Sequence, residues 1–400
     1  MDTRKIQQVG GGTFTVSLPK EWAESHDVAP GTVVTLHTHV DGVLVVEVGD
    51  AATDGPRSVT ITLADGDPER VEQALRAAYA AGYVAVTLAA PEGFTDAQRR
   101  AAGRITRRLS GLTMADESDD RLVVRTLLDT EEVSLRQSVR QLAFVALSMH
   151  REATAALTGT GPPGHVADRD DQADRLFALV DRYFDRALTR LDEVDALGLD
   201  RPALFELWAT ARELERVADH AEGIAACAAA VDAAGPPGDA HANATADAPD
   251  ANAAVDSPNA NAAVEDFDAA ADAARQAVEE AVSVVLGDAD ARAAHRALAR
   301  RDRVREVATA ADRRLFEAGD ADYRFGRAFD AVRRTAEHAG NVAELGLRSA
   351  LRRGDLPAWG ADGRDAEATG EGAGVADDGS GSIRDGAAAT GEGSEFESGS

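Results

Sequence analysis

Six helical patterns in two sets of three occupy the chain beyond residue 128 and leave few architectures open to it. Leu135, Val139, Leu142, Ala146, Met149, Ala153 and Leu157 recur at helical spacing and predict one continuous apolar stripe. The Gly-Thr-Gly-Pro-Pro-Gly run at 159–164 breaks it, and further helices are predicted over about 167–192 and 201–231. Periodicity then vanishes in an Ala, Asp, Asn, Pro and Gly tract at 233–262, which reads as a low-complexity linker. Helical patterns return over about 264–286, 289–318 and 321–353. Three helices, a linker and three helices imply an internal duplication. The third helices agree in register: Asp219-His220-Ala221 and Glu337-His338-Ala339 are each followed, two residues on, by an aliphatic residue and Ala. A weaker echo sets Arg169-Asp170, with Asp174 four on, against Arg301-Asp302, with Glu306 four on.

These repeats carry the chain's most specific chemistry. Glu215 and Asp219 are four apart and share a helix face, as do Asp170 and Asp174. Two such pairs facing one another would offer four hard oxygen donors, suited to Mg, Mn, Ca or ferric ions, with Glu222 as a fifth. The same spacing also arises on solvated faces of acidic helices. The second repeat has Arg333 at the position of Glu215, which predicts an internal ion pair with Glu337 in place of a metal site. His220 and His338 read as structural residues beside carboxylates. Di-iron oxidases pair Glu with Glu-x-x-His motifs, a spacing absent around Glu215, so no catalytic residue is assigned and the chain is not read as an enzyme.

The first fifty residues are of another kind. Phe14, Val16 and Leu18 alternate with Thr13, Thr15 and Ser17 until Pro19, which predicts a strand followed by one or two helical turns over Lys20 to Ser25. Val33 to Leu36 and Val43 to Val48 are strand patterns around an Asp41-Gly42 turn. So few apolar side chains cannot close a core, which predicts an intertwined dimer. Between the head and the helices, residues 56–128 alternate strand and helix patterns in the order β-α-β-α-β, a small sheet with helices on a face, serving as a connecting or dimerisation unit. It contains no phosphate loop, nucleophile elbow or metal cluster, and Gly10-Gly11-Gly12 ahead of it is a turn rather than a dinucleotide fingerprint.

With 70 Asp and Glu against 42 Lys and Arg, the net charge is −28. An Arg-rich, lysine-poor acidic chain suits a cytosol at very high salt, where repulsion between carboxylates is screened. Lys5 and Lys20, the only lysines, both lie in the head, and with Arg4 they form its candidate phosphate-contacting set. Trp22 reads as core. The lone Cys227 excludes an intramolecular disulfide and fits a reducing cytosol. The longest apolar run, Ala77 to Ala90, is too short to span a bilayer and is broken by Gly82, so no membrane insertion is expected. The Gly, Ala, Asp, Glu and Ser stretch over 356–400 reads as a disordered acidic tail.

Two resemblances follow. The glycine, alternating strand, Leu18-Pro19-Lys20 with Trp22, and Val28-Ala29-Pro30-Gly31 turn resemble the AbrB-type swapped-hairpin transcription regulators, except that His26 or Asp27 stands where that family usually has a glycine. Glu215-Arg216-Val217-Ala218-Asp219-His220 and the Arg-Asp start of another helix resemble the PhoU family of phosphate-uptake regulators, in an archaeal-type arrangement. Together they imply a multidomain α+β chain: an AbrB-like DNA-binding domain (1–50), the α/β unit (56–128), PhoU-like three-helix bundles at 130–231 and 263–355 around a linker (232–262), and the tail. They also imply a cytoplasmic, dimeric, negative transcriptional regulator of phosphate uptake, with operator DNA and phosphate ABC transporter components as partners. A Mg, Mn, Fe or Zn ion at Asp170, Asp174, Glu215 and Asp219 is implied with them. The alternative is an adaptor that modulates a phosphate transporter or kinase without touching DNA, and a minor alternative is a carboxylate-bridged metal enzyme.

Overall fold

The computed structural model describes residues 3–38, 42–48, 57–161, 166–234, 258–318 and 323–355. The predicted tail and most of the predicted linker lie outside these residues, as does part of the 159–164 breaker.

The head consists of two hairpins and a short helix. Strand β1 (Gln7–Val9) pairs antiparallel with β2 (Thr13–Thr15) through a turn in which Gly10 has φ 64°. The predicted strand over 14–18 is thus shorter and has a partner the sequence reading missed. Helix α1 (Lys20–Ser25) follows Pro19, and β3 (Val34–Thr38) pairs with β4 (Leu44–Val48). Asp27 adopts φ 53°, the left-handed conformation that the missing glycine would supply. Aspartate tolerates this region better than most residues because its short side chain can hydrogen-bond locally.

The α/β unit is a four-stranded sheet in the order β5-β6-β8-β7, with β5 (Ser58–Thr62) parallel to β6 (Ala85–Ala89) and the other pairs antiparallel. Strand β7 (Leu112–Glu117) is an addition to the predicted β-α-β-α-β order and carries a register shift between Met114 and Asp116 before β8 (Arg121–Thr126). Helix α2 (Pro68–Ala80) starts at an Asp67 cap, and α3 (Asp96–Arg108) at a Thr95–Gln98 capping box. Their buried residues Val71, Leu75, Ala101 and Ile105 share one core with Val86, Leu88, Leu122 and Val124 of the sheet.

The remaining helices are α4 (Leu135–Leu157), α5 (Val166–Thr189), the short α6 (Leu191–Ala196), α7 (Arg201–Ala234), α8 (Pro258–Leu286), α9 (Ala291–Ala318) and α10 (Tyr323–Arg353). The predicted 167–192 helix divides at Arg190. In each set the third helix packs on both others, and α7 also packs on α10 and α4 on α8, so the two sets share a single apolar core. Cys227 is buried on α7.

The α/β unit is fixed to α5. Arg182, fully buried, donates to the Tyr79 carbonyl at 2.6 Å and the Gly82 carbonyl at 3.4 Å, with its guanidinium 4.8 Å from the Tyr79 ring centroid. One side chain thereby ties down the end of α2, where the Tyr79 carbonyl also accepts from the Gly82 N–H at 3.1 Å.

Candidate functional site

Each of the four carboxylates predicted as ligands lies on α5 or α7, the helices expected to present them. Asp170 and Asp174 project one turn apart from α5, and Glu215 and Asp219 one turn apart from α7. Asp170, Asp174 and Glu215 are half-buried and Asp219 is exposed. Burial pushes the Asp170 carboxyl up to about 6, reinforced by the charges of Asp174, Glu222, Asp219 and Asp171. Glu215 is pushed up to about 7 by burial and by Asp219 and Asp174, against the opposing pull of Arg216 and Arg212. Asp219 is raised for the same reasons, with Asp174 and Glu222 as its acidic neighbours. The structure therefore brings the pairs on the two helices within electrostatic reach of one another.

Among the described residues, neither a hydrogen bond nor an ion pair engages the side chains of Asp170, Glu215 or Asp219. Asp174 has only a loose pair with Arg76 of α2 at 3.9 Å, while its neighbour Asp171 binds Arg108 of α3 at 2.6 Å. A set of unneutralised carboxylates without His or Cys suits a hard cation and not a soft one. Yet among the described residues no three potential ligands converge on one point where a metal ion would sit. The donors fit such an ion in chemistry, but they do not form a closed coordination sphere.

In the second repeat Arg333 forms hydrogen-bonded ion pairs with Asp330 and, at 2.6 Å, with Glu337. The Asp330 carboxyl, although burial raises it, ends below its ordinary value because Arg334 and Arg333 donate to it. The two conspicuous histidines meet across the repeats. His220 Nε2 lies 3.1 Å from His338 Nε2, with ring centroids 5.2 Å apart. Glu213 accepts from His338 Nδ1 at 2.6 Å and from Asn341 Nδ2 at 2.9 Å. Burial, with the nearby charges of His338 and Arg334, pushes His220 down to about 4, which keeps its ring neutral at physiological pH. Glu213 went unnoticed in the sequence, since its partners lie on a helix more than a hundred residues away.

In the head, Arg4, Lys5 and Lys20 are exposed, and Lys20 pairs with Glu24 at 3.5 Å. Trp22 is half-buried and stacks on His26 with centroids 4.8 Å apart. No described head residue is buried, while Ile6, Val9, Phe14, Val33, Leu36 and Leu44 are each more than half exposed.

Residues 7–51 match the family described as antidote-toxin recognition MazE, bacterial antitoxin. Residues 139–228 match the PhoU domain. The chain carries a MazE/AbrB-like head followed by a PhoU domain. That match spans α4, α5 and most of α7, and so includes all four carboxylates of the first repeat. No curated protein matches the chain. The two domains point to DNA binding by the head and to phosphate homeostasis for the helices, and PhoU is a regulatory rather than an enzymatic family. Among the described residues no helix is long and apolar enough to cross a membrane.

Proposed function

We propose that this chain is a dimeric, DNA-binding negative regulator of phosphate uptake whose PhoU domain senses a hard cation or a partner protein. The observation that carries the reading is the union, in one chain, of a MazE/AbrB-like head with a PhoU domain. Dimerisation through the head is supported by its apolar side chains: with Phe14 at 70 % and Val33 at 85 % exposure, one copy has no core of its own. Arg4, Lys5 and Lys20 are its phosphate contacts.

Asp170, Asp174, Glu215 and Asp219 would hold the cation, which supplies neutralisation of their mutual repulsion. The same face of α5 grips the α/β unit through Asp171 and Asp174, so the charge state of the cluster bears on that contact. Regulation needs two arrangements with different ligand affinity, and an open donor set that a ligand would draw together is one source of them.

Promoter DNA from phosphate-uptake genes should bind the intact chain and shift the Lys5→Ala/Lys20→Ala variant at least tenfold less well in an electrophoretic assay. Equal binding by variant and wild type removes the two lysines from the DNA contact, and no binding by either sinks the DNA reading. It would then leave the adaptor, with phosphate ABC transporter components as its partners, in the lead.

A further inference from the structure

Helix α3 carries Arg99, Arg100, Arg104, Arg107 and Arg108 within ten residues of a chain whose net charge is −28. Three of them are committed: Arg99 to Glu117 at 2.6 Å and to the Ser118 carbonyl, Arg104 to Glu72 at 2.6 Å, and Arg108 to Asp171 at 2.6 Å. Arg100 and Arg107, both exposed, make neither a hydrogen bond nor an ion pair among the described residues. Arg100, Arg104 and Arg107 follow one another at four and three residues, so they line one face of the helix for roughly 10 Å.

Gly103 lies at the centre of this face. Glycine inside a helix costs stability, and neither backbone nor packing explains it here. Gly103 is not among the residues with positive φ, and a Cβ there would meet only the Arg107 guanidinium, at an ordinary 3.5 Å. What the missing side chain does provide is the floor of a hollow of about 440 Å³ whose walls are Arg99, Arg100, Arg104 and Arg107. Its lining is almost wholly the carbon surface of the arginine stems, with no aromatic ring that would read a base, so the charge on this face comes from the exposed guanidinium groups of Arg100 and Arg107 and not from the hollow itself.

We infer that the Arg100–Arg104–Arg107 face of α3, with the Gly103 hollow, is a second DNA-contacting surface that binds the phosphodiester backbone without regard to sequence. The inference rests on the DNA-binding reading of the head and extends it to a part of the chain that neither domain match covers. Val48 of β4 and Ser58 of β5 are ten residues apart, so the two units are tethered within about 35 Å. Any duplex held by the head is thus present near α3 at high effective concentration. A net acidic protein needs such a track, because three basic residues in the head release few counterions.

The test is the salt dependence of duplex binding by the full chain, followed by fluorescence anisotropy on promoter and random duplexes of equal length. Arg100→Ser/Arg107→Ser should flatten the slope of log affinity against log salt by about 2, and weaken both duplexes alike by roughly tenfold. These side chains hold no structural contact, so melting should be unchanged. Lys5→Ala/Lys20→Ala, which removes phosphate contacts from the head, should flatten the slope by a similar amount with the α3 arginines intact, and failure of that arm alone counts against the head and not against α3. A wild-type slope and affinity in the α3 variant overturn the inference. So does loss of tripolyphosphate binding in that variant with its DNA slope intact, which would assign the hollow to a small anion.

Discussion

The two repeats are built on one helical plan and put opposite electrostatics at corresponding positions. On α5 and α7 four carboxylates face one another with little neutralisation, and two of them are pushed up to about 6 and about 7. On α10 a single arginine occupies the place of Glu215 and binds the acids on either side of it. One half keeps its repulsion and remains open to a ligand, whereas the other has spent the same positions on internal ion pairs. Duplication thus supplies two scaffolds with one core between them, and on the proposed reading only one need keep the instability that a sensor requires.

The largest effect should come from exchanging the roles. Arg333→Glu removes both ion pairs and adds a third acid beside Asp330 and Glu337, on side chains that are only partly exposed. We expect a loss of about 1–3 kcal/mol and a fall of several degrees in melting temperature. Calorimetry at low salt, where repulsion is least screened, gives the clearest reading; an unchanged melting point would mean that the pairs hold nothing together. The reverse exchange, Glu215→Arg, should raise the melting temperature by a few degrees and abolish any stabilisation by millimolar Mn²⁺. A Mn²⁺ response that survives it would place the cation elsewhere.

Acid should separate the halves as well. Asp170 and Glu215 have folded values above their unfolded ones, so from about pH 4 to 7 the folded chain holds more protons, and their contribution to stability improves as pH falls through that window. Asp330 has a depressed folded value, so its contribution is complete at neutral pH and is lost as pH falls through that value. His220, pushed down to about 4, also loses stability on acidification below its ordinary range. Lowering the pH of metal-free protein from 8 to 6 should therefore help the wild type more than Asp170→Asn/Glu215→Gln. Parallel curves for the two proteins would remove the first-repeat acids from the account.

Much of this contrast was legible in the sequence, because acids four apart on a helix share a face wherever the helix goes. The Arg333–Glu337 pair was legible for the same reason. What the sequence hid lies between elements. The contacts of His338 with His220 and Glu213 depend on how α7 crosses α10, which periodicity does not report. Strand β7 escaped because Leu112 to Glu117 ends in Ala-Asp-Glu and carries a register shift, which erases the alternation that marks a strand. The approach of Arg76 and Arg108 to the acidic face of α5 was hidden too, since it follows from how the α/β unit docks through Arg182.

That docking sets the smallest expected effect. Arg76 and Asp174 stand 3.9 Å apart with about half and a third of their side chains exposed, so the pair itself contributes little, less than about 0.5 kcal/mol. Its interest is competitive, because among the described residues Asp174 is the only one of the four candidate ligands with a basic partner from another unit. Arg76→Gln should leave folding unchanged while tightening Mn²⁺ binding about two- to threefold, as expected when a weak competitor for one ligand is removed. If the affinity of Arg76→Gln equals that of the wild type in isothermal titration, the α/β unit does not feel the state of the cluster through Asp174. The burden of coupling would then rest on Asp171 and its shorter bond to Arg108.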